Sequence, residues 1–296
     1  MRVIKAVIAW AICVILIGAI AVGTVKVVSS VASSKKRQFR QDGIEKLDSG
    51  DYAGAITAFD TALEKSGKKS ETFNADVLRY RAEAEYKLRD YEAALHTYGL
   101  LAEMEPKTPL YQYAASMCYA RLGDTDQAIA SYEAGDALET EKTAGTGRLE
   151  ALTMAGGACV DAGEYEKAMS LYETAIKEGI KHGQIYNQMG LCQMAEKDYQ
   201  GALDSFEQGY ETFVTGHNLG SGAEVAQAAA ALSGGEDGQA APASDLSLLK
   251  ELVYNRAVAY EYLSQYQKAL ELFEDYVNVF GSNEDAEHEI AFLKTR

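Results

Sequence analysis

One spacing recurs through the chain and restricts what it can fold into. A small residue is followed nine positions later by an aromatic, three after that by alanine, and four after that by a second aromatic. The sets are Gly43/Tyr52/Ala55/Phe59, Ala82/Tyr91/Ala94/Tyr98, Ser116/Thr125/Ala128/Tyr132, Gly156/Tyr165/Ala168/Tyr172, Gly190/Tyr199/Ala202/Phe206 and Ala257/Tyr266/Ala269/Phe273. Only Thr125 breaks the aromatic rule. The middle residues lie 39, 34, 40, 34 and 67 positions apart, so the period is 34 with two short insertions and one of 33. A period of this length marks a stacked repeat protein, in which no single unit can bury its apolar face alone.

Each unit reads as a helical hairpin. The segments on either side of the middle residue carry apolar positions at helical spacing. Between them lie the turns Ser49-Gly50-Asp51, Arg89-Asp90, Gly123-Asp124, Gly163-Glu164, Lys197-Asp198 and Ser264-Gln265. Glycine relieves the backbone at a helix end and aspartate caps the helix that follows. The small residue and the alanine let two helices approach closely, and the aromatics are expected to fill the space between hairpins. Only three prolines in 296 residues fit an all-helical chain.

These residues resemble the tetratricopeptide repeat (TPR) family, whose consensus length is 34, and Pro106 falls where that family often ends a repeat. The resemblance covers five repeats over 36–216 and a sixth over 250–283. It implies an all-α, right-handed superhelical solenoid. Residues 217–249 are rich in Gly, Ala and Ser and read as a flexible insertion that cannot support a core of its own, with one fragile helix at Ala223–Leu232. Residues 284–296 read as a C-terminal capping helix, with Ser282 or Asn283 as its cap and Ala286, Ile290 and Leu293 on one face.

The amino-terminal end has a different character. Residues 6–25 contain no charge over 20 positions, enough for a helix to cross a bilayer. This run is longer than the apolar core of a cleaved signal peptide. We therefore expect an uncleaved transmembrane anchor at 1–28 and a juxtamembrane segment at 29–35. The chain is thus expected in the cell membrane, crossing it once. Lys26, Lys35, Lys36, Arg37 and Arg40 follow the span, against Arg2 and Lys5 before it, which favours a cytoplasmic repeat domain. Cys118, Cys159 and Cys192 are odd in number and form no CxxC, which agrees with a reducing compartment. An extracytoplasmic domain is the alternative.

The net charge is −16, and residues 1–40 hold seven Lys/Arg and no acid. The remainder carries 21 basic against 44 acidic groups, which argues against a nucleic-acid partner. His96, His182, His217 and His288 do not fall at metal-ligand spacing, and there is no HExxH or GxSxG motif. Thr143–Arg148 lacks the lysine and spacing of a phosphate-binding loop. With no nucleophile, base and orienting group in pattern, we expect no catalysis, cofactor, metal or small-molecule substrate. The three later cysteines are expected to act as small buried hydrophobes.

The resemblance implies a concave groove, lined by first helices, that binds a protein or peptide partner. Carried onto this chain, the inward positions are Arg79, Glu83, Tyr86 and Lys87; Tyr113, Met117 and Arg121; Asn187, Leu191 and Met194; and Tyr254, Val258 and Tyr262. The set that clamps a peptide carboxylate in some family members is not matched, because Glu83 stands where asparagine is wanted and Tyr113 where a base is wanted. The expected function is a membrane-anchored scaffold or adaptor. The alternatives are an envelope-protein assembly or quality-control factor and a self-associating structural membrane protein.

Overall fold

The computed structural model describes residues 34–66, 70–140, 147–232 and 242–296. All regular structure among them is helical. A first helix, α1, runs over 34–48. It is followed by α2 (Tyr52–Ser66), α3 (Glu71–Leu88) and α4 (Tyr91–Met104). Next come α5 (Leu110–Leu122), α6 (Thr125–Asp136), α7 (Arg148–Asp161), α8 (Tyr165–Lys177), α9 (Gly183–Ala195) and α10 (Tyr199–Gly216). The series ends with α11 (Val225–Leu232), α12 (Ala243–Tyr262), α13 (Tyr266–Phe280) and α14 (Glu284–Leu293). The described residues form two compact units, the first ending at Tyr111 and the second beginning at Gln112. The expected transmembrane anchor at 1–28 and the segment 29–33 lie outside the described residues. No helix among the described residues is long and apolar enough to cross a membrane.

Side-chain volumes explain the repeated spacing. In all six hairpins the consensus alanine is fully buried: Ala55, Ala94, Ala128, Ala168, Ala202 and Ala269. The second aromatic lies across its own hairpin from the small residue. A Cβ on Gly43 would come within 2.4 Å of the Phe59 ring, one on Gly156 within 2.3 Å of Tyr172, and one on Gly190 within 2.3 Å of Phe206. At the third hairpin the small residue is Ser116, whose buried hydroxyl donates to the Ala128 carbonyl at 2.7 Å. The second aromatic therefore packs inside its own hairpin and also reaches the next one, as expected: Phe59 stacks on Tyr80 of α3 with centroids 6.0 Å apart, and Phe206 shares a core with Ala257 and Ala259 of α12. The first aromatic, at the turn, stays only half-buried in every hairpin that has one.

The turns share one geometry. The residue two before the middle residue is left-handed in all six: Gly50, Arg89, Gly123, Gly163, Lys197 and Ser264, with φ between 60° and 83°. Three of these are not glycine and carry the steric cost of that region. Lys197→Gly is expected to raise stability by about 0.5–1 kcal/mol, read as a shift of the denaturation midpoint at constant slope. The aspartates act as caps, with Asp51 accepting from Gly54 N at 3.0 Å, Asp90 from Ala93 N at 3.2 Å, Asp124 from Gln127 N at 3.1 Å and Asp198 from Gly201 N at 3.0 Å.

In the first unit, Leu47, Phe59, Val77 and Ala84 form one cluster, and Ala75, Leu78, Leu101 and Tyr111 a second. In the second unit, Tyr113, Tyr132, Leu152, Tyr172 and Ile185 form the core around α7 and α8. Within residues 217–249 the helix expected at Ala223–Leu232 is α11. It buries Val225, Ala228, Ala229 and Leu232 against Phe213, Leu248 and Leu252, and α12 already begins at Ala243. The alanine-rich helix needs no core of its own because its neighbours supply one. Residues 233–241 lie outside the described set. At the far end Asn283 accepts from Ala286 N at 2.9 Å and starts α14, whose Ala286 and Leu293 are buried.

His182 caps α9 by accepting from Gln184 N at 3.2 Å. Burial lowers its pKa; nearby Asp245 opposes that shift and His217 adds to it. The unfolded chain then takes up a proton that the folded one resists, so stability falls as pH drops through the ordinary histidine range. His182→Asn keeps a capping side chain. The loss of Tm between about pH 7.5 and about pH 5.5 is expected to be smaller in that variant than in the parent.

Candidate functional site

The first helices of the second unit offer a surface of mixed character. On α9, Leu191 and Met194 are partly buried; on α12, so are Tyr254 and Val258. All four pack against the same core of Phe206, Ala257, Tyr260 and Phe273. Tyr262, at the end of α12, is 56% exposed and stacks on Tyr199 with centroids 4.7 Å apart. Tyr254 packs edge-on to Phe273 and Tyr276 at 5.4 and 5.8 Å. The result is an aromatic and thioether patch on a rigid base, the residue types favoured at binding hot spots. Arg121 on α5 is exposed and Met117 partly buried.

Two residues expected on the groove lie in the interior. Tyr113 is 1% exposed. Its ring lies 5.8 Å from that of Tyr132, and a Cβ on Gly135 would come within 2.7 Å of it. Asn187 is fully buried; it donates to Glu251 at 3.1 Å and accepts from Asn255 at 2.9 Å. Both are corrections with one cause: a neighbouring helix covers the inward position. Tyr113 is met by α6, and Asn187 by the long α12, whose Glu251 is 64 residues away in sequence.

In the first unit, Arg79, Glu83 and Lys87 are exposed and Tyr86 is half-buried. Arg79 is already engaged. Its guanidinium spans both carboxylate oxygens of Glu105 at 2.6 Å and donates to the Tyr111 hydroxyl at 2.8 Å. Hydrogen bonds hold the Glu105 carboxyl below the usual range, that of Tyr111 first and that of Arg79 second. Lys87 sits 3.7 Å from Glu83, one turn away, and Tyr86 packs edge-on to Tyr91 at 5.4 Å.

Two features escape a reading of the sequence alone. Tyr199 has the register of a packing aromatic, yet its ring helps to build the exposed stack. Arg148 stands at the end of a loop insertion, yet it opens α7 and is fully buried. It pairs with Asp136 and lies 3.2 Å from Glu178. A single arginine beside a loop carries no periodic signal that could place it there.

No grouping of His, Cys, Asp and Glu among the described residues could hold a metal ion. Cys118, Cys159 and Cys192 are buried thiols in no disulfide. Burial raises the Cys159 pKa and pushes that of Cys192 up to about 11, so neither supplies a reactive thiolate at neutral pH.

Stacked antiparallel helix pairs of this spacing, interlocked small-against-aromatic, define an all-α helical-repeat protein. Residues 42–103 and 80–139 match one tetratricopeptide repeat family model and 149–178 match a second. The chain is a tetratricopeptide-repeat protein, a solenoid of a kind suited to protein–protein interaction. Similar solved structures include that of MamA protein, at 19% identity, covering 64% of this chain and 98% of that one with a TM-score of 0.48. A tetratricopeptide repeat protein from Parabacteroides merdae matches at 14% identity over 88% of this chain and 99% of its own, with a TM-score of 0.48. YrrB, described as a TPR protein with an unusual peptide-binding site, matches at 18% identity over 81% and 98%, with a TM-score of 0.46.

Proposed function

We propose that this chain is a membrane-anchored scaffold that recruits a protein segment to the first-helix face of its repeats. The observation that carries the reading is the patch of Leu191, Met194, Tyr199, Tyr254, Val258 and Tyr262. In the hairpins the second aromatics are consumed in packing, whereas here aromatic and thioether side chains remain accessible on helices whose backbones are fixed by the core beneath. The uncharged run at 6–25 supports the anchor, and the excess of Lys and Arg after it supports a cytoplasmic repeat domain.

Tyr262 and Arg121 are exposed, so their replacement leaves the core intact. Arg121→Ala with Tyr262→Ala is expected to weaken retention of co-purifying partners by about tenfold or more at unchanged helicity. Unchanged retention would remove this face from the account. The anchor and its orientation are tested by treating intact cells and inverted membrane vesicles with trypsin. Cleavage of the repeats only in inverted vesicles is the expected result. Cleavage on intact cells would place the repeats outside, and recovery of the uncut chain in the soluble fraction would exclude the anchor.

A further inference from the structure

A second surface lies on the other set of helices. Between α6 and α8, the second helices of the third and fourth hairpins, runs a cleft of about 610 Å³. Its floor is Ile129, Tyr132, Leu171 and Ala175. Its rim carries Glu133, Asp136, Glu166 and Glu178.

The charge of that rim is decided by its ion pairs. Asp136 and Glu178 both pair with one buried guanidinium, that of Arg148. Lys167, the one lysine of the rim among the described residues, is held by Asp126 at 2.7 Å and Glu164 at 3.1 Å, two carboxylates to one ammonium. Glu133 and Glu166 are exposed and form no ion pair among the described residues. The cleft is thus an apolar trough with negative edges.

Its shape selects the occupant. The lining on α8 runs from Glu166 to Glu178, about three helical turns or roughly 18 Å. Ser170 and Thr174 are small and exposed in the cleft, which lets a third helix approach the two that flank it. We propose that this cleft docks a basic amphipathic helix from a partner protein, with apolar side chains on the Tyr132–Leu171 floor and Lys or Arg beside Glu133 and Glu166. The assignment is independent of the first-helix face, since it uses the opposite helices and none of the same side chains.

The test uses the full chain in phosphatidylcholine nanodiscs, with empty nanodiscs as the blank. The probe is a fluorescent synthetic Leu/Lys helix of about 14 residues, followed by anisotropy. A peptide of the same composition in scrambled, non-amphipathic order is the comparison. The amphipathic peptide is expected to bind and the scrambled one to bind at least about tenfold more weakly. Glu133→Lys with Glu166→Lys is expected to weaken binding about tenfold or more. Ser170→Trp, which fills the trough without changing charge, is expected to do the same. The remote reversal Glu271→Lys with Glu284→Lys is expected to change binding by less than about twofold. The proposal is overturned if the amphipathic peptide does not bind, if the scrambled peptide binds as tightly, or if Ser170→Trp has no effect. It is also overturned if both charge reversals weaken binding alike, which would mark diffuse attraction to an acidic protein.

Discussion

Phe206→Ala is expected to destabilise the second unit by about 3–5 kcal/mol, the cost of removing a fully buried aromatic and leaving a cavity. Phe206 is fully buried, and its ring occupies the space that a side chain on Gly190 would need. The same contact predicts the reciprocal result. Gly190→Ala forces a methyl group to within 2.3 Å of the ring and is expected to cost about 1–3 kcal/mol through overpacking. In a Phe206→Leu background the cost of Gly190→Ala should shrink, because the smaller side chain releases the space. Residues in contact show such coupling and distant ones do not. Denaturant titrations of the two singles and the double measure it directly. Additive costs would mean that the small residue and the aromatic do not interlock, and the explanation of the repeat spacing would fail with them.

Arg148→Ala is expected to cost about 3–5 kcal/mol, because it removes the buried guanidinium that pairs with Asp136 and Glu178. Asp136 and Glu178 retain only 12% and 29% side-chain exposure, so water replaces the guanidinium poorly. Tyr132 stands in the same cluster, its pKa pushed up to about 12, mainly by burial. The combined variant Arg148→Met/Asp136→Asn/Glu178→Gln, which removes the two carboxylate charges as well, is expected to recover much of the loss. If Arg148→Ala proves as stable as the parent, the network is not buried in solution as described.

Much of the fold is legible in the sequence because its determinants are local. A small residue, a turn and an aromatic sixteen positions on lie within one hairpin, so their spacing survives in the sequence. Asp51, Asp90, Asp124 and Asp198 are readable as caps for the same reason. The left-handed turns at Arg89, Lys197 and Ser264 are not, since those residue types do not announce that conformation. The candidate site is harder to read. Register places Tyr113 and Asn187 on the inward side, but their burial is set by α6 and by α12, the latter arriving after an insertion with no repeat pattern. In that insertion the packing of α11 is hidden too, because its alanines are apolar enough to pack on a neighbour though too small to form a core. Tyr199 and Arg148 belong to this group: their roles follow from what packs against them.

The central claim is that the first-helix face is where a partner is held. It is tested most directly by placing a photo-crosslinking amino acid at single positions in living cells and resolving the adducts by mass spectrometry. Tyr262 and Arg121 report on that face, and Asp204 and Gln267, exposed on second helices away from the α6–α8 cleft, serve as controls. The account predicts discrete protein adducts at Tyr262 and Arg121 that are absent at Asp204 and Gln267. Adducts of equal yield at all four positions, or none at Tyr262 and Arg121, would contradict it.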